Sequence, residues 1–347
     1  MNSQIAAILT VDGVATGAIY VLIALGFVLI FAVTRIVFIP FGDITAFTAL
    51  TLAALEAQHL PGTVGLVAGL AALATLMELM ALLRAGFYAA MPRALFYYLV
   101  LPLLPAAAVW LTAGILLPMP LRIVLTVALI LPIAPLLDRI VYRPIADGSV
   151  LLLLIVSVAL HFALAGLGLL FFGPEGVRTQ ALTDANFDLA GTPVSGETVL
   201  IVVSAAVFSL LLFLFFEFTL YGKALHATAL NRTGARLMGI RPQHSGTIAF
   251  LLGSVLAAVS GILIAPVNTI FYDSGFLIGL KAFVGAIIGG LISFPVTAVG
   301  SVFVGVLESF AAFISSPFKE VIVFSILIPV LLWRSYSLVT TEEGDDE

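Results

Sequence analysis

The sequence predicts an all-α fold, a polytopic bundle of about ten or eleven transmembrane helices with one basic helix outside the bilayer. Three observations carry this. The chain is 62% hydrophobic and 10% charged, where an average soluble domain has roughly 25% charged residues. Its mean hydropathy is +1.24. Its apolar stretches approach the ~20 residues that cross the hydrocarbon core as helix, a structure that satisfies every backbone group internally. These stretches take up nearly all of the 347 residues, so one transmembrane domain over 1–347 is expected. With no cysteine there is no disulfide framework, thiolate metal site or Cys nucleophile.

In chain order, spans are expected near 13–34, 43–59, 62–83, 94–117, 121–137, 149–172, 198–218, 244–265, 276–293, 297–315 and 319–334. The breaks coincide with Pro40, Pro61-Gly62, Pro92, Pro118 to Pro120, Pro144, Gly173-Pro174, Pro242, Pro266, Pro295 and Pro317, because proline starts or interrupts helices. Val14–Val33 is too long for a secretory signal and lacks its basic front and cleavage site, so it is expected to remain as the first span. The acidic end, residues 338–347, reads as a disordered solubilising tail.

Basic residues set the orientation, since cytoplasmic loops collect Lys and Arg. With the N-terminus outside, Arg35, Arg84, Arg93, Arg139, Arg143, Lys223, Arg232, Arg236, Arg241 and Arg334 fall inside. Arg122, Arg178 and Lys319 fall outside, and Lys281 lies in a span. The long outer loop, Gly173–Glu197, is acidic.

The longest basic stretch lies in the segment 219–243. From Leu220 to Ile240 it carries Lys223, His226, Arg232 and Arg236 without a carboxylate. It reads as helix, bend, helix, with Asn231 as the N-cap of the second helix and a stop at Gly239-Ile240. Ala224, Ala227 and Ala229, with Ala235 and Leu237, form a small apolar face suited to a partner's groove. The plainer reading is a basic loop held against anionic lipid headgroups.

Ionisable residues inside spans are costly and each needs a reason. Lys281 and Glu308, in neighbouring spans, read as a structural ion pair, with a translocation-path role as the second reading. Asp43 reads as a helix N-cap, or as part of a broken helix facing solute. His161, alone in an apolar run, reads as a hydrogen-bonded interior residue, and Glu78 and Glu217 as solvated span ends. Gly13 and Gly17, Gly65 and Gly69, and Gly285 and Gly289 recur at helix-packing spacing. Gly285, Gly289 and Gly290 with Pro295 also permit a discontinuous helix beside a path. Asn268, Tyr272 and Asp273 fall on a short outer loop within reach of a docking protein.

Four stretches, in order, resemble the branched-chain amino acid ABC transporter permeases, the LivH-like membrane subunits. GKALHATALNRTGARLMGIRPQ (Gly222–Gln243) resembles their coupling loop, and Asp12–Phe31 their first span. Tyr142-Arg143-Pro144 resembles their Tyr-Arg-Pro loop, and Gly279–Gly290 followed by Gly305–Glu308 their C-terminal block. The chain departs from that pattern in three places. Phe38-Ile39-Pro40-Phe41-Gly42 stands where the family has Asn-Phe-Ala-His-Gly, and Trp333-Arg334-Ser335-Tyr336 replaces a closing Pro-x-Gly-Leu-Phe-Gly. Arg84–Leu117 is an insertion, read as an extra span pair within 62–117.

The resemblance implies a permease of the bacterial inner membrane, and the distribution of basic residues puts its N-terminus on the periplasmic side. The resemblance implies as partners a second related permease, as homologue or second copy, two cytoplasmic ATP-binding subunits and a periplasmic solute-binding protein. The cargo would be branched-chain or related small amino acids, amides or urea. Coupling to the ATPases would fall to Gly222, Lys223, Ala224, Ala227, Asn231, Arg232, Ala235, Arg236, Leu237, Met238, Gly239 and Ile240. Lys281, Glu308, Asp43, Gly285 and Gly289 would line the path or form the structural pair, and Asn268, Tyr272 and Asp273 would meet the binding protein. ATP and Mg would belong to the partners, with no cofactor on this chain. The sequence agrees on one point, since no G-x-x-x-x-G-K-[ST] is present to cradle nucleotide phosphates. The chain is therefore not expected to be an enzyme or to bind nucleic acid. The competing readings are a self-sufficient secondary transporter or channel, and a membrane-embedded enzyme, for which His59, His161, His226 and His244 are too scattered.

Overall fold

The computed structural model describes residues 3–146, 148–189, 192–326, 328, 329 and 332. The chain starts with α1 (Ser3–Thr34), apolar on every face and so buried rather than laid on a surface. Leu22, Ile23, Ala24, Val28, Leu29 and Ile30 have no exposure at all. Then come α2 (Phe41–Glu56), α3 (Thr63–Ala85), α4 (Met91–Leu95), α5 (Leu101–Thr112), α6 (Met119–Ile130), α7 (Ile133–Leu137) and α8 (Val150–Phe172). Single π-helical turns at Phe96–Val100 and Asp138–Tyr142 continue their neighbours, so Tyr88–Thr112 and Met119–Ile145 are each one helical segment. The loop between α8 and the next long helix contains an antiparallel hairpin, β1 (Asn186–Leu189) with β2 (Thr192–Ser195), which hydropathy does not predict. After it come α9 (Gly196–Phe218), α10 (Leu220–Leu230), α11 (Arg232–Leu237), α12 (Pro242–Ile264), α13 (Ser274–Ile288), α14 (Phe294–Ile314) and α15 (Lys319–Ser325).

Among the described residues, eight helical segments are long and apolar enough to cross a membrane, and eight of the expected spans coincide with them. The other three differ for identifiable reasons. Span 43–59 is α2, of 16 residues, and 276–293 is α13, of 15, or about 22–24 Å of helix against a hydrocarbon core of about 30 Å. For 319–334, the structure shows the seven-residue α15. Trp333, Arg334 and the tail 338–347 lie outside the described residues.

The chain forms two compact units. One contains α1 as far as Val28, the hairpin, the first part of α9 and the chain from Ile278. Here α14 lies against α1 with almost no side chain between them. A Cβ on Gly13 would meet Val306 Cα at 2.5 Å, and one on Gly17 would meet Val302 Cα at 2.6 Å. The other unit runs from Leu29 to Leu182 and from Leu212 to Leu277. Its centre is α2 against α12, where a Cβ on Gly261 would strike the Thr45 carbonyl and Thr48. Small residues at such crossings let helices approach by van der Waals contact, the main attraction available in lipid. Gly65 and Gly69 do not act this way: a Cβ on either meets nothing within 4 Å, which corrects the packing role expected from their spacing.

Buried hydroxyls on α2 are satisfied within the helix. Thr45, Thr48 and Thr51 donate to the carbonyls of Phe41, Ile44 and Phe47 at 3.1, 2.7 and 2.5 Å. Gly261→Leu is expected to lower stability by about 1–3 kcal/mol through overpacking, whereas Gly65→Ala is neutral or stabilising. Thermal unfolding of the two variants in detergent checks this, and equal melting would contradict the α2–α12 contact.

Candidate functional site

Three polar arrangements interrupt the apolar interior. In the first unit, α13 and α14 run antiparallel with matched faces. Lys281, Gly285 and Gly289, one turn apart, face Glu308, Ser301 and Thr297 in turn. Lys281 Nζ donates to Glu308 Oε1, and to Glu320 Oε1 at 3.3 Å. Tyr20 from α1 donates its hydroxyl to the other Glu308 oxygen at 2.6 Å, and Lys319 Nζ lies 4.0 Å from each of the two glutamates. Two ammoniums thus balance two carboxylates. Below them, a Cβ on Gly285 or Gly289 would overlap the Ser301 or Thr297 hydroxyl.

In the second unit, Asp43 and His161 form a buried pair, with Nδ1 of the imidazole 2.8 and 3.0 Å from the two carboxylate oxygens. Phe276 stacks on the imidazole at 4.7 Å between centroids, and Gly275 abuts the backbone at Gly42–Asp43. This corrects the N-cap reading of Asp43. The cap position of α2 belongs to Pro40, with no side-chain cap bond, and Asp43 is the third residue of the helix. His161 is hydrogen-bonded in the interior, with Asp43 as its partner. Glu78 is not a solvated end either, because Arg139 donates to it through Nε at 2.6 Å and through Nη2. Next to it, Arg143 Nε binds Asp138 Oδ2 at 3.0 Å, Arg143 Nη2 donates to Thr247, and Tyr142 shares a 2.8 Å hydrogen bond with Ser157.

The third arrangement is the basic bend. Thr219 caps α10 by accepting from Gly222 N at 2.9 Å, and Asn231 caps α11 by accepting from Gly234 N at 2.8 Å. The bend ends at Gly239, whose φ of 82° suits glycine. Gly239 N bonds to Arg236 O and Ile240 N to Ala235 O, each at 3.0 Å, closing the last turn of α11 in a Schellman arrangement. Thr228 shares a 3.1 Å bond with Ser245, fixing α10 to α12. Lys223, Asn231, Arg232, Arg236 and Gly239 are exposed, while Gly222 is buried and Ile240 half-buried.

The apolar surface of this bend differs from the sequence expectation. Ala235 is buried, and Ala224, Ala227 and Ala229 are half-buried. Leu237 is exposed at 83%, as expected of it, and is joined by Leu230 and Met238 at 76% and 83%. The small alanines let α10 and α11 sit close to the bundle, and the longer side chains point away.

On the loop after α12, Asn268 and Asp273 are exposed and Tyr272 half-buried. A bridge of two 2.9 Å bonds between Val177 and Ile270 ties this loop to the segment after α8. Sequence reasoning missed Tyr20 and Glu320. A phenol in a long apolar helix carries no charge signal, and Glu320 sits beside Lys319, which suggests a local pair.

The profile of a family described as branched-chain amino acid transport system / permease component matches residues 9–331. The chain belongs to this family. Among individual relatives, it is 30% identical over 214 residues to the high-affinity branched-chain amino acid transport system permease protein BraD of Pseudomonas aeruginosa, covering 60% of this chain and 70% of that protein. It is 29% identical over 206 residues to LivH of Escherichia coli K12, covering 56% of this chain and 66% of LivH. A probable LivH of Methanocaldococcus jannaschii is 28% identical over 211 residues, covering 55% and 65% of the two chains. No solved structure matches. With its apolar helices, this family member is a multi-pass membrane protein of the permease class.

Breaking one partner of a buried pair leaves an uncompensated charge, at a cost of about 3–5 kcal/mol, while replacing both can be nearly neutral. Lys281→Met and Glu308→Gln are each expected to lower the melting temperature sharply, and the double variant to recover at least half of the loss. Additive losses in detergent melts would show that the two side chains do not stabilise each other.

Proposed function

We propose that this chain is the membrane-spanning permease of an ATP-driven importer for branched-chain or related small amino acids, or small amides. The observation that carries the reading is the capped bend of α10 and α11, which holds Leu230, Leu237 and Met238 outward beside Lys223 and Arg236. Large apolar side chains held exposed on a basic bend fit a protein groove better than water. In this proposal two cytoplasmic ATPases, which carry ATP and Mg, grip the bend. Its caps and its Thr228–Ser245 link to α12 make it stiff enough to act as a lever on the spans. A second related permease completes the passage, and a periplasmic binding protein delivers solute at the outer loops, with Asn268, Tyr272 and Asp273 in reach. The membrane is the bacterial inner membrane. The whole of 1–347 acts as one permease domain, with 219–243 as the coupling loop.

This reading is supported by the family and by the names of the relatives, which are transport permease proteins. It is tested by reconstituting the chain with the ATPases of the same cell. Leu237→Asp with Met238→Asp is expected to abolish ATPase co-purification and to cut ATP-dependent leucine uptake at least tenfold, with melting unchanged. Gly239→Pro is expected to do the same, since proline cannot take a positive φ. Uptake by the chain alone on an ion gradient would favour a self-sufficient transporter instead.

The orientation has a separate test, made easy by the lack of cysteine. In intact cells a membrane-impermeant maleimide is expected to label a cysteine placed at Asn186 on the hairpin. A cysteine at Thr233 on the bend is expected to react only after permeabilisation. The reverse pattern would place the N-terminus inside.

A further inference from the structure

We infer that the turn joining α3 to α4 is a binding site for the headgroup of an anionic phospholipid. The turn is sharp. α3 ends at Ala85, Gly86 takes φ of 74°, and Phe87 N closes onto Leu82 O at 3.0 Å. Arg84 is exposed in the last turn of α3, and Arg93 is exposed on α4.

Counting charges in this corner leaves these two arginines without a partner. From Leu79 to Leu137 the sequence has no Asp or Glu. Of the described carboxylates on the two sides, Glu78 is taken by Arg139 and Asp138 by Arg143. Those two arginines also meet at Tyr98, one over its ring at 6.0 Å and the other donating to its hydroxyl at 3.5 Å. The inner layer of charge is thus neutral. Arg84 and Arg93 make no ion pair among the described residues, and no described carboxylate balances them.

The surroundings point to lipid as its source. Phe87 and Tyr88 follow Arg84, and Phe96 and Tyr97 follow Arg93, with exposures of 67%, 64%, 50% and 56%. Aromatic rings and arginine stems placed together are at home at the level of the headgroups, where the ring or stem meets acyl chains and the polar end meets phosphate. A soluble phosphate would leave these rings in water. A zwitterionic headgroup cancels its own charge and leaves the arginines unbalanced, whereas a headgroup with net negative charge does not. The turn lies at the start of the inserted stretch Arg84–Leu117, and this gives the insertion a task of its own: to hold the extra spans at a fixed depth on an anionic leaflet.

The test uses the full chain in mild detergent, with phosphatidylglycerol or phosphatidylcholine added and the retained lipid counted by native mass spectrometry. The wild type is expected to retain phosphatidylglycerol preferentially. Arg84→Gln and Arg93→Gln are each expected to weaken that preference roughly fivefold, the size of one basic contact to an anionic surface. Arg178→Gln, which removes an exposed cation elsewhere, is expected to leave it unchanged, as is the double variant Arg84→Lys with Arg93→Lys. Equal retention of the two lipids by the wild type, equal loss in Arg178→Gln, or displacement of phosphatidylglycerol by inorganic phosphate would overturn the proposal. The lysine variant also guards against misfolding: if it melts as the wild type does but the glutamine variants still retain phosphatidylglycerol, the site is elsewhere.

Discussion

The constraint on which the rest depends is that a polar group placed among lipid tails has no water to fall back on. Each one must find its partner within the protein or at a headgroup. The threonines of α2 turn back onto their own helix, Asp43 and His161 pair across two helices, and Lys281 gathers carboxylates from α14 and α15. These unions decide which helix faces meet. In a soluble protein burial of apolar area would do most of that work, but lipid is as apolar as leucine and offers no comparable drive. Close approach at glycines supplies the remainder, as at Gly17 against Val302 and Gly261 against Thr48.

This explains why the long helices were legible in the sequence and some contacts were not. Hydropathy finds a run such as Val150–Phe172 because the whole run is apolar. It does not record where a helix ends inside an apolar stretch. α13 stops at Ile288 because Gly290 takes a left-handed turn and Leu291 N closes onto Ala286 O, while the hydropathy carries on. The caps at Asn231 and Gly239 were readable because capping is local chemistry.

Of the polar groups, Lys281 and Glu308 were readable as partners because each is a lone charge in an adjacent span. Asp43 and His161 stand 118 residues apart on helices that are not sequence neighbours, and a histidine in an apolar run does not announce its partner. The bend shows another limit. Alanine and leucine score alike as apolar, yet the alanines serve close packing while Leu237 and Met238 face outward. Direction depends on neighbours that only the folded chain supplies.

The seam between α13 and α14 has a consequence for how the gene can change. Its three contacts, Lys281 with Glu308, Gly285 with Ser301 and Gly289 with Thr297, all lie beside one short connection, Gly289 to Ser293. Because the three contacts share one register, moving α14 by a single helical residue against α13 would turn its facing side by about 100° and take all three out of line together. Most loops of a membrane protein tolerate changes in length. This one behaves as a ruler, and the left-handed turn at Gly290, with φ of 67°, restricts its composition as well as its length.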